Sequence, residues 1–221
     1  MPRQYSSERA PVGGGIGYTE NMRLDFRLLE GYKRRAFYTL VWGFASMVLI
    51  GLAADVTQRP YIFPSLGPSA IMLFGHPLRR DSSPSHTIFG HGVGALCGYL
   101  ALWVMGLLDV PFSMHIGTAR VVAAAIALGL TCALTILLHV EHAPAGATTL
   151  IVALGILPNL FDFAFLMAAV VMLVVLAFVI NRAFAIEYPL WRAPHWVQNH
   201  DAELLRKVAR RSRLSAALRR Q

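Results

Sequence analysis

Pro64-Ser65-Leu66-Gly67-Pro68-Ser69-Ala70, running into Ile71-Met72-Leu73-Phe74, has a near copy later in the chain: Ala143-Pro144-Ala145-Gly146-Ala147-Thr148-Thr149, running into Leu150-Ile151-Val152. Placing Gly67 on Gly146 sets an offset of 79 residues and brings Ser69 onto Thr148. Both segments are apolar yet too short and too interrupted to be ordinary spanning helices. Paired short, Gly/Pro-broken segments in the two halves of a membrane protein point to a transporter's substrate site. The fold follows from what surrounds them.

Hydrophobic residues make up 56% of the chain and charged residues 14%, against about 25% charged in soluble domains. Four stretches, Ala36–Ala54, Ile88–Leu108, Val121–Leu138 and Phe163–Ile180, contain no Asp, Glu, Lys or Arg. Each is near the roughly 20 residues that a hydrocarbon core requires. A soluble fold of this size has no use for four such helices. The expectation is an all-α, polytopic membrane helical bundle with four full transmembrane helices and two short Gly/Pro-broken ones.

Charge divides the chain. Residues 1–36 hold 7 Lys and Arg, residues 37–181 hold 4, and residues 182–221 hold 9. The positive-inside rule then places both termini in the cytoplasm. The net charge of +8 is accounted for by topology, which argues against nucleic acid as a partner. The first 35 residues lack the apolar run of a secretory signal. Three parts result: a cytoplasmic segment 1–35, a membrane domain 36–181 and a basic cytoplasmic tail 182–221. Within the tail, 201–220 can form a basic amphipathic helix suited to an anionic leaflet. A bacterial inner membrane suits this arrangement.

If both short segments cross, the 75–87 connection carrying Arg79 and Arg80 is cytoplasmic, and only Arg59 and Arg120 edge the outer loops. That distribution fits better than two re-entrant dips. It makes 36–108 and 118–181 an inverted repeat, each half an odd number of crossings. Gly90, Gly94 and Gly98 recur every fourth residue, a spacing that lets another backbone come close in lipid. Packing within the subunit is the preferred reading, and a homo-oligomer seam is the sharper alternative. Cys97 and Cys132 read as small buried core residues.

Chemistry-bearing residues cluster at the short segments. His139, Glu141 and His142 precede the second, while His91 lies one turn into the helix after the first. Ionisable groups at depth tend to be functional, so Glu141, His142 and His91 are candidates for gating or proton transfer. His139-Val140-Glu141-His142 lacks the i, i+4 histidine spacing of a zinc protease. No metal site, catalytic residue or cofactor is expected. An intramembrane metal-dependent enzyme using His139, Glu141 and His142 stays an alternative, as does a non-transporting anchor or sensor.

His142-Ala143-Pro144-Ala145-Gly146-Ala147-Thr148-Thr149-Leu150 resembles the signature of the HPP family of integral membrane proteins, named for a His-Pro-Pro motif. The Pro64–Phe74 segment and Gly90-His91 with its small neighbours resemble that family's other blocks. The likeness covers residues 33–181. Ala143 replaces the middle proline, but Pro144 still fixes the backbone and withholds an N–H, so the turn should survive. The family is described as having four transmembrane helices, and plastid and cyanobacterial members are associated with nitrite transport. Some relatives carry regulatory domains, for which the tail here is too short. The resemblance implies a transporter or channel for a small inorganic anion, nitrite first.

Physical chemistry agrees. The start of each short helix offers backbone N–H groups and the positive end of a dipole. Gly67 and Gly146 would allow close approach, while Ser65, Ser69, Thr148 and Thr149 would add hydroxyl donors. Two such ends meeting near the midplane would form the anion site without a buried lysine.

Overall fold

The computed structural model describes residues 31–110, 112, 117–157 and 160–192. All regular structure among them is helical: α1 Tyr32–Thr57, α2 Leu66–Gly75, α3 Pro84–Val104, α4 Thr118–Leu137, α5 Ala145–Ala153 and α6 Leu160–Ala183. A single 3-10 turn, Arg80–Ser82, separates α2 from α3. Among the described residues, four helices are long and apolar enough to cross a membrane: α1, α3, α4 and α6. The second of the expected long helices starts earlier than its apolar run: α3 begins at Pro84 rather than near Ile88. Proline suits the first helical position, where its missing N–H has no partner to lose, and Ser83 before it is extended. The same helix stops at Val104, before Gly106 at φ 65 turns the chain.

The repeat is visible in the helix ends. α2 starts at 66 and α5 at 145, and α3 ends at 104 and α6 at 183, so both pairs stand 79 apart. Contacts fix the direction of every segment. At one end Tyr38 Oη donates to Asn181 Oδ1 (2.8 Å) and Asn181 Nδ2 donates to Leu73 O (3.1 Å). His142 Nδ1 donates to Asp81 O (2.7 Å) at that same end. At the other, Tyr61 stacks edge-on against Phe165 (5.9 Å), Tyr99 Oη donates to Leu157 O (3.3 Å), and Arg120 Nη2 donates to Val110 O (2.7 Å). Each short segment therefore joins opposite ends of the bundle rather than dipping and returning. Successive helices alternate, and α1–α3 and α4–α6 run inverted to one another.

The halves exchange their third helices. α1 and α2 pack with α6, while α4 and α5 pack with α3, and α3 against α6 links the two groups. Gly90, Gly94 and Gly98 explain the tightest of these contacts. A Cβ at Gly94 would lie 2.6 Å from Ala145 O, and one at Gly98 would lie 2.7 Å from Val152 Cβ. The glycine stripe is thus covered by α5 of the same chain, which is packing within the subunit and leaves no room there for a second copy. Phe44, Leu52, Leu137 and Val179 are exposed on the outside of the bundle, where acyl chains solvate them.

Two expectations shift. The packed unit continues past residue 181: Ile186 and Tyr188 are buried, Tyr188 Oη donates to Ser82 O (2.7 Å), and Ser85 N–H donates to Trp191 O (3.0 Å). Burial pushes the Tyr188 phenol up, so it stays a neutral donor. Cys97 is buried as expected, but Cys132 is exposed, on a face of α4 turned away from the core. The 1–30 part of the N-terminal segment and the amphipathic stretch 201–220 lie outside the described residues.

Candidate transport site

The first turn of α2 and the first turn of α5 meet through one imidazole. His91, about 10 Å along α3 from its start, is fully buried. Its Nε2 lies 2.8 Å from Ser69 Oγ and its Nδ1 lies 2.6 Å from Thr148 Oγ1. The two residues that the 79-residue offset superposes are thus bound to opposite nitrogens of one ring. Ser69 Oγ also lies 3.1 Å from His142 Nε2 and 3.0 Å from Ser65 O. The rings of His91 and His142 stand edge to face, with centroids 5.0 Å apart.

Hydrogen-bond logic orders these contacts. A carbonyl oxygen only accepts, so His142 Nδ1 carries the proton that it gives to Asp81 O, and Nε2 is left as an acceptor. Ser69 O–H donates to that nitrogen. The Ser69 oxygen then accepts from His91 Nε2–H, and His91 Nδ1 accepts from Thr148 O–H. The chain runs one way from Thr148 through His91, Ser69 and His142 to a backbone carbonyl near the surface. Both imidazoles are neutral in this arrangement, and Ser65 O is the alternative acceptor for the single Ser69 proton.

Not every candidate joins the group. Thr149 turns to α4, with its Oγ1 on Thr131 Oγ1 (2.8 Å) and Ala145 O (3.0 Å). Gly146 faces Leu128, 3.4 Å from where its Cβ would be, and a Cβ on Gly67 would meet nothing within 4 Å. The glycines therefore open no approach to the site, because the 3.6-residue turn points them away from Ser69 and Thr148. The expected free amides at the second helix start are also taken. Ala145 N–H bonds to His142 O (2.9 Å), Gly146 N–H to Ala143 O (3.1 Å) and Ala147 N–H to Pro144 O (3.1 Å). The His142-Ala143-Pro144 turn keeps its shape and spends those donors on itself.

Glu141 is half-buried beside the site's surface end, and His139 is exposed at φ 55. No three His, Cys, Asp or Glu residues gather as a metal set among the described residues. Two participants had no sequence signal. Asp81 contributes a carbonyl, which any residue type supplies. Thr87, one turn before His91, is fully buried with its Oγ1 unpartnered among the described residues, as is Ser65 Oγ one turn before Ser69.

Among the described residues, six alternating helices in two inverted, helix-exchanged halves, with a buried polar station between them, define an integral membrane protein of inverted-repeat architecture. The chain matches the HPP transmembrane region over residues 30–189. It belongs to the HPP family. It is also 29% identical over 139 residues to a curated transmembrane protein of Dictyostelium discoideum, covering 61% of this chain and 46% of that protein. The chain thus spans about half the length of that relative. No solved structure matches it.

If the station is where substrate binds, Ser69→Ala and Thr148→Ala remove equivalent partners of His91. Each bond is worth about 0.5–1.5 kcal/mol to a neutral group and more to a charged one. Apparent affinity should fall several-fold in each single variant. The double variant should fall by less than the product, because both act through one ring. Substrate titration of the four forms in proteoliposomes measures this. Wild-type affinity in the double variant would move the substrate elsewhere.

Proposed function

We propose that this protein is a transporter, not an enzyme, and that it carries a small monovalent oxyanion, nitrite first, across the membrane together with a proton. The observation that carries this reading is the placement of Ser69 and Thr148 on opposite nitrogens of His91 at depth. The station is polar but holds no fixed charge. An anion entering it needs a compensating cation, and the two imidazoles are the groups there that gain one by binding a proton. The buried, unpartnered hydroxyls of Ser65 and Thr87 are further donors for the anion's oxygens. Because the α1–α2–α6 and α3–α4–α5 groups meet at this station, rocking of one against the other would open it to either side. The end carrying Arg79 and Arg80 faces the cytoplasm of a bacterial inner membrane in this reading, in line with its basic residues.

Purified protein in liposomes, challenged with nitrite, nitrate, formate and sulfate, tests the proposal. Expected are nitrite uptake above that of empty vesicles, parallel acidification of the lumen, a faster rate as external pH falls from about 8 to 5, and no sulfate uptake. Flux at the level of empty vesicles for every anion would overturn it.

A further inference from the structure

The turn that receives His142 also carries a cation without a carboxylate. Arg79 closes two bonds on Asp81, Nε to Oδ1 at 3.0 Å and Nη2 to Oδ2 at 2.8 Å. That pair occupies the nearest acid. Arg80, half-buried, makes no ion pair among the described residues, and its Nε–H donates instead to His86 Nε2 at 3.2 Å. The ring's other nitrogen must then hold the proton, and it faces Ser83 Oγ at 2.7 Å. His86 is buried. A guanidinium has five N–H donors, and four of Arg80's have no partner among the described residues. Arg192 lies within electrostatic reach of the same ring, and Glu141 is the remaining carboxylate that faces it.

We propose that Arg80 and His86 form an outer anion station, which takes a small monovalent oxyanion before it reaches the Ser69–His91–Thr148 station. The Nη edge of Arg80 presents two parallel donors, a fork that suits two oxygens on one atom. An imidazole accepting from Nε fixes the orientation of that fork without cancelling its charge, as a carboxylate would. Position supports the same role: Arg80 is one residue from the carbonyl that holds His142. What the anion does next rests on the transport reading, but its binding at Arg80 does not.

The test uses the full chain in phosphatidylcholine nanodiscs with ring-15N histidine, the His86 signal being assigned with His86→Gln. Sodium nitrite should shift that signal saturably. Arg80→Gln should weaken the effect by about tenfold or more, and Arg80→Lys should restore part of it, since lysine keeps the charge but loses the fork. A His86 signal that nitrite leaves unmoved, or moves equally in Arg80→Gln, overturns the proposal. So does a signal that answers only to replacing phosphatidylcholine by phosphatidylglycerol, which would make Arg80 a lipid-phosphate contact. Saturable, Arg80-dependent binding in a protein without nitrite flux would sustain the station and remove the transport reading.

Discussion

Replacing His91 by phenylalanine should abolish proton-linked anion flux in a protein that still inserts and folds. Phenylalanine fills much of the imidazole's volume but offers neither nitrogen. Thr148 loses the acceptor at 2.6 Å, and Ser69 keeps only Ser65 O and His142. A buried hydroxyl left unpaired costs about 1–3 kcal/mol, within the margin of a typical folded domain. His91→Gln separates two roles of the ring. Its amide has a donor and an acceptor and can bridge Ser69 to Thr148, yet it does not take up a proton. Apparent affinity should then stay within several-fold of wild type, while the acceleration between about pH 8 and 5 is lost. Nitrite uptake and lumen acidification, followed together at several external pH values, read both effects. An unchanged pH profile in His91→Gln would assign the proton to another group. Unchanged flux in His91→Phe would remove His91 from the route.

The largest effect on stability is expected at Gly94. A methyl there would sit 2.6 Å from Ala145 O and 2.8 Å from Thr149 Oγ1. The first neighbour is backbone, so α5 must move as a body, and it carries Thr148 with it. Overpacking of this kind costs about 1–3 kcal/mol and occasionally more. Gly98→Ala meets Val152 Cβ at 2.7 Å and Gly90→Ala meets His142 Cβ at 2.7 Å, so both should also destabilise. Gly92→Ala is the control on the same helix, since its nearest neighbour is Met167 Cε at 4.0 Å. It should be neutral or gain up to about 1 kcal/mol from the better helix former. Thermal unfolding in detergent ranks the four. A Gly94→Ala protein as stable as Gly92→Ala would mean that α5 does not lie against α3 as described.

The sequence disclosed the frame of this molecule more fully than its chemistry. Length and the absence of charge identified the four long helices. The doubled Gly/Pro/hydroxyl segment located α2 and α5 and paired Ser69 with Thr148 by its offset alone. These features are local or periodic, so a linear reading reaches them. What joins the pair is not local. His91 has no repeat partner, since Val170 stands 79 residues on, and a single histidine in a glycine-rich helix does not say which helices it faces. The glycines misled for the same reason. Gly67 and Gly146 lie beside the hydroxyl residues in sequence but on other sides of their helices, and the space they leave faces elsewhere. Nor could the motif at His142 reveal that its turn would satisfy the amides expected to bind an anion. That depends on φ and ψ at Ala143 and Pro144 rather than on composition.

Hydrophobicity alone would end the membrane unit where α6 ends, and a truncated gene designed on that basis would keep every spanning helix. It would also lose the segment in which Tyr188 grips Ser82 and Trp191 caps the amide of Ser85. Arg182, the last charge of α6, would lose the Tyr188 carbonyl that its Nε reaches at 2.9 Å. Ser82, Ser83 and Ser85, buried in the intact chain, would be laid open to water one residue from Asp81. A truncation that keeps this packing therefore runs at least through Trp191.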